Sequence, residues 1–299
     1  MRVKPFTYLL VAAFLIFSFV GWYYYNNKNY HTQLSIQYTP ANIPITRIGI
    51  EDKTYFFEID LGSKFPLTLR KSLLEEINYK KFHGTGNWKD AKGNAYEAPS
   101  YLVPKIKLGN QILNEVLIQQ EDDDYLFNTT LWDEENKGKN IVHSQYGSIG
   151  WPLLTKNNLL IDLQNSTIIL SNDTGKLKEA GYNLNELTAV PIELTSIGII
   201  LQAKTDLGTQ RFLLDTGSTL NLIEAHLVEN QKCTLEKHGL SLFTTSFFIL
   251  NNQDFGRLDL HPYPITPTLG INGILGIPFL KDHIVYLDFS SKVAYLGAF

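Results

Sequence analysis

Residues 212–223 read FLLDTGSTLNLI, an apolar strand that runs straight into an aspartate set in a glycine turn. Burying an ionised carboxylate costs several kcal/mol unless it is paired or protonated, so an acid at this point implies a use. A second copy lies upstream: FFEIDLGSKFPLTL (56–69) puts Asp60 over Asp215, Gly62 over Gly217 and Ser63 over Ser218. Downstream of each copy, GSIGWPLLTKNNLLIDLQNSTIIL (147–170) aligns without a gap on GILGIPFLKDHIVYLDFSSKVAYL (273–296). Both carry Gly-x-apolar-Gly-x-Pro-x-Leu, then Asp162 or Asp288, then a closing strand; the intervening KIKLGNQILNEVLI and SFFILNNQDFGRLDL correspond more loosely. The chain is an internal duplication with halves of roughly 40–175 and 190–299.

A duplication of this kind implies pseudo-twofold symmetry, with two copies of one turn meeting at the axis and two carboxylates face to face. Carboxylates a few Å apart do not both ionise readily, so one holds a proton while the other stays charged, and they titrate as a pair. A water between them can pass a proton to the charged member as it attacks a carbonyl, while the protonated member hydrogen-bonds the carbonyl oxygen. That is the chemistry of amide hydrolysis.

At these residues the chain resembles the aspartic protease superfamily, the pepsin-like and retropepsin-like enzymes. The likeness rests on FLLDTGS (212–218) together with ILGIPFLKDHIVYLDFSSKVAYLGAF (274–299), repeated in order in the first half, and spans roughly 42–299. It implies an all-β, bilobal fold with a peptide or protein substrate, a monomeric catalytic unit, and neither cofactor nor metal. Carried onto this sequence, it implies that Asp60 and Asp215 are the catalytic dyad and that Gly62, Ser63, Gly217 and Ser218 shape the two turns. The family's hydroxyl after each catalytic Asp, which reaches the backbone of the opposite loop, is matched by Thr216 but not by Leu61. The family's β-hairpin flap falls on 86–103, turning at DAKGN, with Trp88, Tyr96 and Tyr101 as candidates for its aromatic contact.

Composition fits a folded chain of one or two domains: 299 residues, 44% apolar and 19% charged. A net charge of −4 without a dense basic cluster gives no footprint for nucleic acid. Cys233, the single cysteine, permits no intrachain disulfide and reads as a small buried residue. The histidines show no HExxH spacing and there is no GxSxG elbow, which argues against metallo- and serine hydrolases. Arg2 and Lys4 precede about twenty mainly apolar residues, Pro5 to Tyr25, ending in the aromatic run Trp22 to Tyr25. This is expected to be a single transmembrane signal anchor with residues 30–299 outside the cytoplasm. The expected organisation is therefore 1–29 cytoplasmic tip and anchor, 30–180 first lobe, 181–299 second lobe.

Short helices are expected near 70–77 and 224–230, and strands dominate elsewhere. Lys64 reads as a solvated loop lysine, Glu58 as a partly exposed strand carboxylate, and Asp162 and Asp288 as structural groups near turns. The acidic stretches EDDD (121–124) and DEEN (133–136) read as solvated surface. The sequence thus predicts a membrane-anchored aspartic endopeptidase. A degenerate lobe pair that binds peptides or a protein partner without cutting is the alternative, favoured by Leu61; a purely structural envelope component has no specific residue behind it.

Overall fold

The structure, a computed structural model, describes residues 30–39, 41–122, 145–235 and 239–298. Each half is built on the same ψ-shaped crossing of three strands. In the first, Lys53–Asp60 runs parallel to Gln145–Gly150, which pairs antiparallel with Leu67–Arg70. In the second, Gly208–Leu214 runs parallel to Gly273–Leu275, which pairs antiparallel with Leu222–Glu224. The correspondence extends one strand further, since Leu67–Arg70 lies parallel to Gln111–Glu121 and Leu222–Glu224 parallel to Asp259–Tyr263.

The sequence dictates this because one face of the crossing strands is an unbroken apolar row: Phe57, Ile59, Leu67, Leu69 and Ile149 are all solvent-free, as are Phe212, Leu214 and Leu275. The opposite face is buried too, with Leu213 and Ile274 in the second half but Glu58, Thr68 and Ser148 in the first. The second glycine of each repeated frame is required by close approach. A Cβ on Gly150 would lie 1.9 Å from the Phe65 carbonyl oxygen, and one on Gly276 2.3 Å from that of Leu220. At those crossings Trp151 donates its N–H to the Ser63 carbonyl at 3.2 Å, and Ile277 does the same to Ser218 at 2.8 Å.

The closing strands of the two halves join each other. Leu159–Asp162 pairs antiparallel with Thr167–Ser171 on one side and with His283–Asp288 on the other, Leu160 lying opposite Tyr286. His283–Asp288 continues to Val293–Ala298 and then to Thr188–Thr195, so one sheet runs under both lobes. Asp162 and Asp288 do hold turns. Asp162 accepts hydrogen bonds from the Asn165 backbone and side chain and from the Tyr182 hydroxyl, and Asp288 from Ser290 and Ser291.

The helix expected near 70–77 is present as Lys71–Glu76, burying Leu73 and Leu74. The one expected at 224–230 is not an α-helix. Glu224 ends a strand paired with Asp259–Tyr263, and what remains is a single 3₁₀ turn, Ala225–Val228, with only Val228 buried and no side-chain cap. Among the described residues no helix is long and apolar enough to cross a membrane; the expected anchor, Pro5 to Tyr25, and the DEEN stretch lie outside them.

Candidate active site

Asp60 ends the strand Lys53–Asp60, and Asp215 directly follows Gly208–Leu214. The pseudo-twofold axis brings their carboxyls into a hydrogen bond with one another. Each is also held by its own turn: Asp60 Oδ1 accepts from the N–H groups of Gly62 (2.9 Å) and Ser63 (3.1 Å), and Asp215 Oδ1 from that of Gly217 (2.8 Å). The two glycines face across the seam. A Cβ on Gly62 would stand 2.6 Å from the Asp215 carboxyl, and one on Gly217 2.7 Å from Asp60 Oδ1. Space for the opposite acid, more than backbone freedom, is what these positions require.

Thr216 ties the two loops together. Its hydroxyl donates to the Ile59 carbonyl at 2.5 Å and accepts from the Leu61 N–H at 2.9 Å, reaching from one half into the other. At the pseudo-equivalent position the Leu61 side chain is wholly buried in the core, so the tie has one hydroxyl instead of two.

Electrostatics separate the two acids. Burial, the neighbouring Asp215 charge and the hydrogen bond to Asp215 hold the Asp60 carboxyl well above the usual carboxylate range. Burial raises Asp215 as well, but the hydrogen bonds from Asp60 and from the N–H groups of Gly217, Gly62 and Ser218 favour its charged form. The two acids titrate as a coupled pair.

Glu58 departs from expectation. It is not a partly exposed strand group but is 6% exposed, one full pleat before Asp60 on the same strand face. Burial, and then the charge of Glu121, push it up to about 7, with Arg70 opposing. Lys64 is exposed as expected; its ammonium hydrogen-bonds the Asn87 carbonyl and lies 5.2 Å from the centre of the Phe65 ring.

The stretch expected to form the flap lies in the hairpin Lys81–Lys89 and Ala95–Leu108. Asp90 shapes its turn, accepting from the Asn94 backbone and side chain and from the Tyr96 hydroxyl at 3.1 Å. The tip bridges to the second lobe: Thr266 donates its N–H to the Ala91 carbonyl at 2.8 Å, and the Lys92 ammonium lies 5.5 Å from the centre of the Tyr263 ring. Of the three aromatic candidates, Trp88 lines the cleft and meets Phe65 edge-on at 5.8 Å. Tyr96 stacks behind Trp88 at 5.3 Å, whereas Tyr101 turns to Phe82 and does not line the cleft.

Beneath the flap a cleft of about 300 Å³ has both acids on its floor. Gln119 on the first-lobe wall, and Ile271 and Ile274 on the second, belong to it and were not singled out from sequence, whereas Glu121, expected at the solvated surface within EDDD, lines the first-lobe wall with Oε2 shielded from solvent. The period-2 spacing of Gln119 and Glu121 along one strand was the available signal.

Neither a family model nor a curated protein matches this sequence. Among solved structures, the crystal structure of an aspartic proteinase from Irpex lacteus superposes with a TM-score of 0.59 at 13% sequence identity, covering 90% of this chain and 97% of that one. The chain has the fold of a pepsin-like aspartic proteinase.

Proposed function

We propose that this protein is an aspartic endopeptidase in which Asp60 and Asp215 activate a water for attack on a peptide bond. The observation that carries the reading is the pair itself: two carboxyls hydrogen-bonded to each other on the floor of a cleft, with a glycine of each turn cleared to admit the other. Asp215, the charged member, takes a proton from the water. Asp60, the protonated member, hydrogen-bonds the substrate carbonyl and stabilises the oxyanion as it forms. Transfer of a proton to the departing amine then collapses the tetrahedral intermediate and restores the starting charges. The flap, closed onto the second lobe, would have to release Ala91 from Thr266 to admit a chain. In this proposal residues 5–25 anchor the enzyme, the lobes face away from the cytoplasm, and a single chain suffices for activity.

The test is cleavage of a mixed peptide library by the full-length chain in detergent between pH 3 and 7. Activity should fall at least 10³-fold in Asp60→Asn and in Asp215→Asn and be blocked by a statine-type peptide. Parent-like cleavage by either variant contradicts the assignment. The second reading, a cleft that binds peptides without cutting them, is favoured by Leu61, which leaves the seam with one hydroxyl tie. Saturable peptide binding with no cleavage would establish it.

A further inference from the structure

The two walls of the cleft differ in chemistry although the halves repeat one another. Outside its Asp215 turn the second lobe contributes aliphatic side chains, among them Leu213, Ile271 and Ile274, whereas the first contributes the aromatics Phe65 and Trp88, the cations Lys64 and Lys89, and Thr68, Gln119 and Glu121. The contrast begins beside the acids, where Glu58 and Leu213 hold equivalent positions ahead of Asp60 and Asp215.

The side chains of Gln119 and Thr68 on the first wall are occupied. The Gln119 amide donates to the carbonyls of Ala98 (2.6 Å) and Pro99 (3.2 Å), and its oxygen accepts from the Ser100 hydroxyl at 2.7 Å. The Thr68 hydroxyl accepts from the Ser148 N–H at 2.8 Å and is 2.9 Å from the Ser148 hydroxyl. Glu121 is different: its Oε2 is shielded from solvent and accepts no hydrogen bond. The Thr68 side chain hydrogen-bonds the Glu121 carboxyl and the Arg70 charge, opposite it in the strand register, favours ionisation, yet burial still lifts the carboxyl to about 7. A shielded acceptor with no donor is costly to leave unmade, and hydrogen bonds to a charged donor are the strong ones.

We propose that Glu121 makes the first-lobe wall of the cleft a recognition site for a cationic side chain, lysine or arginine, of the bound peptide. The inference rests on the cleft being a peptide site, as proposed above, but not on its cutting. An ammonium or guanidinium entering from the cleft would supply the donor that Oε2 lacks and add positive charge beside the carboxyls of Glu58 and Glu121. The aliphatic wall opposite offers such a side chain no partner, so the preference should belong to one substrate position.

The experiment uses the full-length chain in detergent and neutral-ended hexapeptides with a central statine unit. One residue is either lysine or norleucine, scanned through the positions flanking the statine, and dissociation constants are measured at one pH. At one position lysine should bind at least tenfold more tightly than norleucine. Glu121→Gln should cut that ratio below threefold while moving the norleucine Kd by less than threefold. Norleucine binding as well as lysine at every position overturns the proposal, as does a ratio unchanged in Glu121→Gln. If that variant does not fold, Glu121→Asp, which retracts the carboxylate by one methylene, should weaken the preference, and an unchanged ratio is again contrary. Lysine preference in binding without cleavage of the matching peptides keeps this inference and overturns the enzyme. Cleavage without the preference overturns this inference alone.

Discussion

Glu58 is an acid that folding makes harder to ionise, and that has a measurable consequence. Its carboxyl rises from 4.5 to about 7 on burial, so between those values the folded chain binds a proton that the unfolded chain has released. Stability from this group is intact below about pH 4.5 and is lost as pH climbs through 7. Glu58→Gln should therefore be more stable than the parent at pH 8 by up to about 3 kcal/mol, with the difference vanishing near pH 4. Urea unfolding of both chains across that range checks it. Thr216 acts in the opposite sense. Thr216→Val strands the Ile59 carbonyl and the Leu61 N–H in the core and should cost about 2–4 kcal/mol at all pH values in the same assay. The roles of Thr216 and of the turn glycines were legible in the sequence because the repeat fixed their neighbours. Glu58 was misread because a lone acid before Asp60 does not disclose that Gln111–Glu121 brings a second acid near it.

At the scale of the element, the flap joins local and long-range logic. Its turn is written locally: Asp90, Gly93 and Asn94 close the hairpin, with Gly93 at φ +91°, a conformation that glycine adopts without strain. Its latch is not, since Ala91 meets Thr266 only after the second lobe has folded. Thr266 has φ −68°, which proline also adopts, so Thr266→Pro removes the N–H donor with little change of backbone. Amide exchange across residues 87–95 should speed up about fivefold to tenfold, the effect of losing one net hydrogen bond of about 1 kcal/mol. Unchanged exchange would show that the tip is held by something other than this bond. The second short helix was overcalled for a related reason, because pairing of Leu222–Glu224 with Asp259–Tyr263 claims residues whose pattern alone suits a helix start.

For the whole molecule, the repeat made the two equivalent halves and the meeting of their acids readable in the sequence. The antiparallel junction of Leu159–Asp162 with His283–Asp288 was not, because the residues that pair across it, Leu159, Leu160 and Ile161 with Leu287, Tyr286 and Val285, are plain sheet formers and nothing local names their partner. That junction fixes how the halves face each other, and hence whether Asp60 and Asp215 can share a proton. The sharing can be seen directly by carboxyl NMR on chain labelled with ¹³C-aspartate, titrated from pH 3 to 8 in the parent and in Asp215→Asn. The account predicts that the two resonances move together in two separated steps, one of them well above the ordinary aspartate value of 3.8, and that Asp60 titrates lower once Asp215 is neutral. Two independent titrations near 3.8, with Asp60 indifferent to the substitution, would contradict it.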